Sequence, residues 1–447
     1  MKIKYLLFTC LLVLMLINCR SDTEKVFNPS SKKTATFVDE IRYIREWNDL
    51  LYFQVKHLVI GPPEASRLYG YLGVTVYEAC IGGMPENKTL AGQLNGLESL
   101  PRTDSKLEYD WPTVVIESLF QVCTDLLSFT LQDNDGTFVN LRSKQLAERE
   151  AAVEADVYKR SVDYAVQLSE SIIEWAAKDQ YLETRKLFYK TPSRTNHPEY
   201  WEPTDINVTA LEPHWNRLRP FVISDVNICP AILLHPYSED KDSEFYKQAL
   251  TVYNTDKTLS EQHRKDALFW ADCPGETATP PGHWTSIMGY VTKQQKLNLQ
   301  QAVEMYALTG IGIADAFIQC WHTKYEFNLV RPKTYIREVL GHLEWEPFVI
   351  TPPFPEYTSG HSVVSSCAAE LLTNVIGDQV GFIDSTHVRI GLDARQFNSF
   401  REASQQAVDS RLYGGMHYPM ANVIGQQQGQ CLAKQILGKI KLRNESN

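Results

Sequence analysis

The sequence predicts an all-α protein, and three observations carry that prediction. Apolar residues recur at helical spacing over long windows, as at Ile41, Ile44, Trp47 and Leu51, and again at Met305, Leu308, Ile311, Ile313, Phe317 and Ile318. Alternating, strand-like patterns are few, and no repeat of fixed period is present. No obvious linker divides the chain after residue 36, so residues 37–441 read as one large helical domain. With 43% hydrophobic and 22% charged residues, a chain of 447 residues can bury a sizeable core.

The elements follow in order. A first helix starts near Val38 and is broken by Pro62-Pro63. Glu64 then opens a small-residue helix to about Cys80, whose Gly70 and Gly73 permit close packing. Residues 83–112 are loop-like, and a helix spans 113–131. Asp133-Asn134-Asp135-Gly136 begins like a calcium loop but lacks a glutamate at the required spacing, so it reads as a polar turn. Residues 137–178 read as one long helix or two, and 186–236 as a long ordered connection. Further helices are expected over 241–254 and 260–272, and the clearest of all over 294–325.

The chain's start differs from its body. Lys2 and Lys4 precede an apolar run from Tyr5 to Ile17 that is too short to span a bilayer. It ends in Leu16-Ile17-Asn18-Cys19, and so residues 1–19 resemble a bacterial lipoprotein signal peptide, with Cys19 as the lipidation site. Asn18 fits that pattern loosely, which leaves ordinary secretion as the alternative. The resemblance implies an exported protein at the bacterial cell envelope that meets the membrane only through its lipid, with residues 20–36 as a flexible tether. A net charge of −10 and the lack of a basic run argue against nucleic acid as a partner. Nine scattered cysteines, with no close pairs, fit mostly free buried thiols better than a disulfide framework.

The most informative stretch is Pro352-Pro353-Phe354-Pro355-Glu356-Tyr357-Thr358-Ser359-Gly360-His361. Its prolines keep the approach extended, and the apolar run that follows reads as a buried helix ending at Gly377. Ser359, Gly360 and His361 therefore stand at a helix N-terminus, where free N–H groups and the helix dipole favour an anion. Two other segments add charge. Lys324 and Arg331-Pro332 place cations where a helix must stop, and Ser410-Arg411 precedes a Gly414-Gly415 break after which His417 opens the last helix.

In this order and spacing, the residues resemble the signature of the superfamily of vanadium-dependent haloperoxidases and type 2 phosphatidic acid phosphatases. Lys324, Arg331, Pro332, Ser359, Gly360, His361, Ser410, Arg411 and His417 all fall in register. The pattern is departed from twice: Thr358 stands where proline is usual, and Ala421 where an aspartate is usual. Phe269-Trp270-Ala271-Asp272 and Pro280-Pro281-Gly282-His283-Trp284 look like soluble bacterial members of the haloperoxidase branch, and the landmarks together span about residues 40–440. The resemblance implies two four-helix-bundle halves, with an oxyanion site at the end of one bundle, the motif-bearing part being about 294–440.

It also implies roles. Lys324, Arg331 and Arg411 would neutralise vanadate, and the Ser359 hydroxyl and Gly360 N–H would complete its shell. His417 would be the metal ligand, and His361 the proton donor and acceptor. Lys324 would also act in catalysis by polarising hydrogen peroxide, which passes an oxygen to halide and so to a small organic acceptor. Trp321 and Phe354 would form aromatic pocket walls. In a phosphatase of the same superfamily, needing no metal, His417 would instead be the nucleophile on a phosphomonoester. Because a nucleophilic histidine gains more from a carboxylate partner, Ala421 is expected to weigh against that alternative. A third reading, from another class, is a non-catalytic lipoprotein binding a glycan or phosphate.

Overall fold

The computed structural model describes residues 37–128, 136–205 and 208–444; the expectations for residues 1–36, Cys19 among them, and for most of the 133–136 turn lie outside these. The helices are α1 (Phe37–His57), α2 (Pro62–Cys80), α3 (Trp111–Leu127), α4 (Thr137–Glu150), α5 (Ala155–Ala176), the single turn α6 (Tyr181–Thr184), α7 (Glu244–Lys257) and α8 (Glu261–Phe269). They continue with α9 (Thr279–Gln294), α10 (Leu299–Phe327), α11 (Pro332–Glu338), α12 (Gly360–Ile376), α13 (Phe400–Tyr413) and α14 (Pro419–Lys439). A short antiparallel hairpin pairs β1 (Phe382–Asp384) with β2 (Arg395–Phe397). Among the described residues no helix is long and apolar enough to cross a membrane.

The all-α expectation holds, and α10 joins its two halves. One side of α10 packs along α2, which packs in turn on α3, itself lying against α5; another side packs on α12, which lies against α13 and α14. The α2–α10 contact needs glycine. A Cβ on Gly73 would strike the Tyr306 carbonyl oxygen, and one on Gly310 would lie 2.6 Å from the Tyr69 carbonyl oxygen. Helix α10 is buried over most of its length and starts at a capping box, Asn298 with Gln301. It ends at Asn328, whose left-handed conformation (φ 46°) turns the chain.

The structure refines several of these expectations. Pro280-Pro281 occupies the first turn of α9, where a missing N–H costs nothing. Pro332 starts α11 in the same way. Residues 137–178 form two helices, divided at 151–154. His417 lies two residues before α14 and not on it, because Pro419 sets the helix start. Finally, Cys229 and Cys431 form a disulfide across 202 residues, tying the long connection to α14, while Cys80, Cys123, Cys273, Cys320 and Cys367 are free.

Candidate active site

The site lies where α10, α12 and α13 end or begin. Lys324, in the last turn of α10, is fully buried and donates to the carbonyls of Pro355 (3.0 Å), Glu356 (3.0 Å) and Thr358 (2.6 Å). It therefore fixes the extended 352–358 segment that leads into α12. Ser359 caps α12: its Oγ accepts from the Ser362 N–H and from the Ser362 hydroxyl (2.8 Å). That leaves its own hydroxyl proton free to point elsewhere. Gly360 opens the helix beside Trp321, and the first-turn N–H groups there lack intrahelical partners.

Arg331 and Arg411 are both fully buried. Arg331 donates to the carbonyls of Phe354 (2.9 Å) and Met416 (3.1 Å), and Arg411 donates to the Trp270 carbonyl and the Met416 sulfur. Neither arginine, nor Lys324, has a carboxylate within ion-pair distance among the described residues. Arg331 Nη2 and Arg411 Nε are buried donors without a partner. Burial pushes both guanidinium groups down to about 10 and the Lys324 ammonium to about 7, with Arg331 adding to the effect on Lys324. Buried, uncompensated cations with donors left over are what an oxyanion pocket requires.

A cavity of about 430 Å³ opens onto Gly360, His361, Arg411 and His417, with Trp321, Phe317 and Phe354 in its walls. Trp321 and Phe354 also contact each other, their ring centroids 4.9 Å apart. Both are buried as well, so pocket wall and core residue are the same thing here. Phe354 lies 5.0 Å from both the Lys324 Nζ and the Arg331 guanidinium carbon.

His417 overturns the expectation drawn from Ala421. Its Nδ1 lies 2.8 Å from Glu356 Oε1, which also accepts the Tyr418 N–H at 3.0 Å. The carboxylate behind His417 thus comes from the extended segment and not from α14. Ala421 itself is fully buried in an apolar cluster with Tyr357 and Tyr418, where a charge would find little company. With Glu356 behind its ring, His417 does not lack the carboxylate that a nucleophilic histidine would use. Burial and then Arg331 and Lys324 hold His417 well below the ordinary histidine range, so it is neutral. With Nδ1 directed at Glu356, Nε2 keeps its lone pair on the other side, 3.4 Å from Arg331 Nη1.

All the predicted site residues within the described chain are brought together. Sequence reasoning missed Glu356, although it lay inside the quoted stretch, because no local pattern shows which histidine a glutamate 61 residues away will meet. It also gave no role to Asp272 and His283. Asp272 lies 3.6 Å from His361 Nε2, and His283 bonds to Asp272.

A family profile described as the VCPO second helical-bundle domain matches residues 304–445. The vanadium chloroperoxidase of Curvularia inaequalis is 25% identical over 138 residues, which span 26% of this chain and 23% of that enzyme's own length. A crystal structure described as the first bacterial vanadium-dependent iodoperoxidase superposes with a TM-score of 0.85 at 31% identity, covering 93% of this chain and 100% of that one. A holo-type bacterial vanadium-dependent chloroperoxidase shares the fold at 15% identity, with a TM-score of 0.63 over 86% of this chain and 94% of its own. With the motif residues gathered as described, the chain belongs to the vanadium-dependent haloperoxidase family.

Proposed function

We propose that the protein oxidises halide with hydrogen peroxide at a vanadate held by His417. The observation that carries this reading is the end of the cavity: Arg411 and His417 line it, Arg331 Nη1 lies 3.4 Å from the His417 Nε2 lone pair, and Arg331 Nη2 and Arg411 Nε are left without acceptors. These residues fit a tetrahedral oxyanion. Arg331, Arg411 and Lys324 neutralise its oxygens, and the Ser359 hydroxyl and Gly360 N–H complete the ring of donors. Vanadate, when bound, activates peroxide for oxygen transfer to halide, giving hypohalous acid that halogenates a small organic acceptor. Glu356 holds the His417 ring so that Nε2 can bind the metal, and His361 moves protons at the open side. The Trp321 and Phe354 walls keep that side partly dry, which suits a large polarisable halide. Iodide is the halide to test first, since the relative matching 93% of this chain is described as an iodoperoxidase.

The His417–Glu356 pair favours a second reading, a phosphatase in which His417 attacks a phosphomonoester. One experiment separates the two. Vanadate-loaded protein is assayed with peroxide and iodide or bromide, and vanadate-free protein with p-nitrophenyl phosphate. Peroxide-dependent halogenation supports the first reading. Its absence, together with a trappable phosphohistidine at His417, supports the second, and anion binding with neither activity leaves a binding protein.

Residues 1–19 are proposed to export the chain and Cys19 to carry lipid; the Cys229–Cys431 disulfide supports an oxidising compartment. Cys19→Ser is expected to release the protein from membranes or block its processing. Wild-type protein found wholly in the soluble fraction would refute the anchor.

A further inference from the structure

The Phe-Trp-Ala-Asp and Pro-Pro-Gly-His-Trp stretches meet behind His361, in a buried cluster that the proposed chemistry leaves unused. Asp272 follows α8 in a left-handed conformation (φ 50°), His283 lies in the first turns of α9, and the 382–397 hairpin region supplies Asp384 and His387. His283 Nδ1 lies 3.1 and 3.0 Å from the two Asp272 oxygens, and its Nε2 lies 2.8 Å from Asp384 Oδ2. His387 Nε2 lies 3.1 Å from Asp272 Oδ1, which leaves Oδ2 as the oxygen nearest His361. Asp384 is fixed in turn by the Thr386 N–H at 2.9 Å, and the His283 ring stacks on Trp270 with centroids 4.3 Å apart.

Hydrogen-bond arithmetic fixes the state of His283. A neutral imidazole has one N–H, yet both nitrogens here face carboxylates, so both must donate. A metal ion bridging Asp272, His283 and His387 would instead need a lone pair on Nδ1, and that nitrogen points evenly at both oxygens of one carboxylate. Two carboxylates and one imidazolium leave one net negative charge toward His361.

We propose that Asp384 and His283 form a positioning chain for His361, in which His283, donating from both ring nitrogens, locks the Asp272 carboxylate so that one oxygen faces the His361 ring. What His361 does with that orientation rests on the haloperoxidase reading; how the ring is held does not. The electrostatics agree. Burial lowers and the two carboxylates raise the His283 pKa, which comes out at about 10, and His283 helps hold Asp272 well below the usual carboxylate range against burial.

The test uses full-length protein labelled with ¹⁵N-histidine, without vanadate, with His361 signals assigned by their loss in His361→Ala. Wild type should show one buried histidine with both nitrogens protonated well above neutral pH. Asp384→Asn should abolish that state and shift the His361 ring nitrogens, and His283→Gln should shift them further. In vanadate-loaded enzyme, Asp384→Asn should lower kcat roughly tenfold with vanadate affinity and halide KM unchanged, and Asp384→Glu should recover most of the loss. Retained vanadate binding certifies that each variant folds. Unmoved His361 signals in both variants, loss of vanadate affinity in step with kcat, or one equivalent of divalent metal bound by the cluster overturns the proposal. If the NMR shifts occur but wild type oxidises no halide, the positioning chain stands and the haloperoxidase reading falls.

Discussion

Arg67 and Arg411 are both buried arginines, in opposite halves of the molecule, yet their surroundings have little in common. Arg67, on α2, donates to Asp179 at 2.6 Å and lies against the rings of Tyr71 and Tyr181. Burial by itself would lower its pKa, but Asp179 and the tyrosines more than offset this, and the net shift is upward. Arg411, with Arg331 beside it, donates among the described residues to the Trp270 carbonyl and the Met416 sulfur, and burial, partly offset by the more distant Asp272, lowers its pKa. One arginine is part of a finished structure. The other carries a charge that a bound anion would compensate, and the contrast sets a paired charge against an unpaired one without reference to any motif.

His417→Ala should have the largest effect, a loss of peroxide-dependent halide oxidation of at least about a thousandfold, because the protein's bond to the metal goes with the ring. Activity of vanadate-saturated variant within tenfold of wild type would remove His417 from that role. The arginine contrast is tested next. Arg411→Ala should weaken vanadate binding by roughly a hundredfold while leaving the anion-free protein no less stable, since an uncompensated buried charge has gone. Arg67→Ala should do the reverse: vanadate affinity kept, and stability reduced by about 3–5 kcal/mol in denaturant titrations. Equal destabilisation by both would erase the distinction.

A pH experiment sharpens it further. Lys324 stands at about 7 in the anion-free site, and Glu356 is raised by burial to about 7. Above that pH, anion binding must take up a proton, so affinity should fall by up to about tenfold per pH unit. Calorimetry with sulfate, a tetrahedral dianion that does not itself titrate there, in buffers of different ionisation heat should show proton uptake above neutrality and little well below it. With no anion, the lowered Lys324 pKa makes stability rise with pH from about 7 toward the ordinary lysine range, because only the unfolded chain then holds the proton. The smaller effects concern the carboxylate behind His417. Glu356→Gln should lower kcat about tenfold, and adding Ala421→Asp, which restores the usual residue, should not rescue it because the side chain at 356 still occupies the position at Nδ1. Rescue would show that α14 can still supply the partner.

Much of the helical framework was legible because helix formation is local. Periodicity marked α10 and α12, and glycines in α2 announced the close contact with α10. Helix α9 was not foreseen, and its two prolines sit in its first turn. The hairpin was hidden by strands of three residues, too short for alternation to register.

The sequence by itself determined which residues could bind an oxyanion: Lys324, Arg331, Ser359, Gly360, His361, Arg411 and His417 stand in a spacing that local helix ends turn into a site. Only the tertiary structure decided what stands behind each histidine. Glu356 reaches His417 because Lys324 and Arg331 pin the extended segment across the end of α10, and Asp272, His283 and Asp384 meet because α8, α9 and the hairpin converge behind α12. The Glu356–His417 and Asp384–His283 pairs lie 61 and 101 residues apart along the chain. Their pairing follows from how helices pack, which the spacing within any one of them does not record.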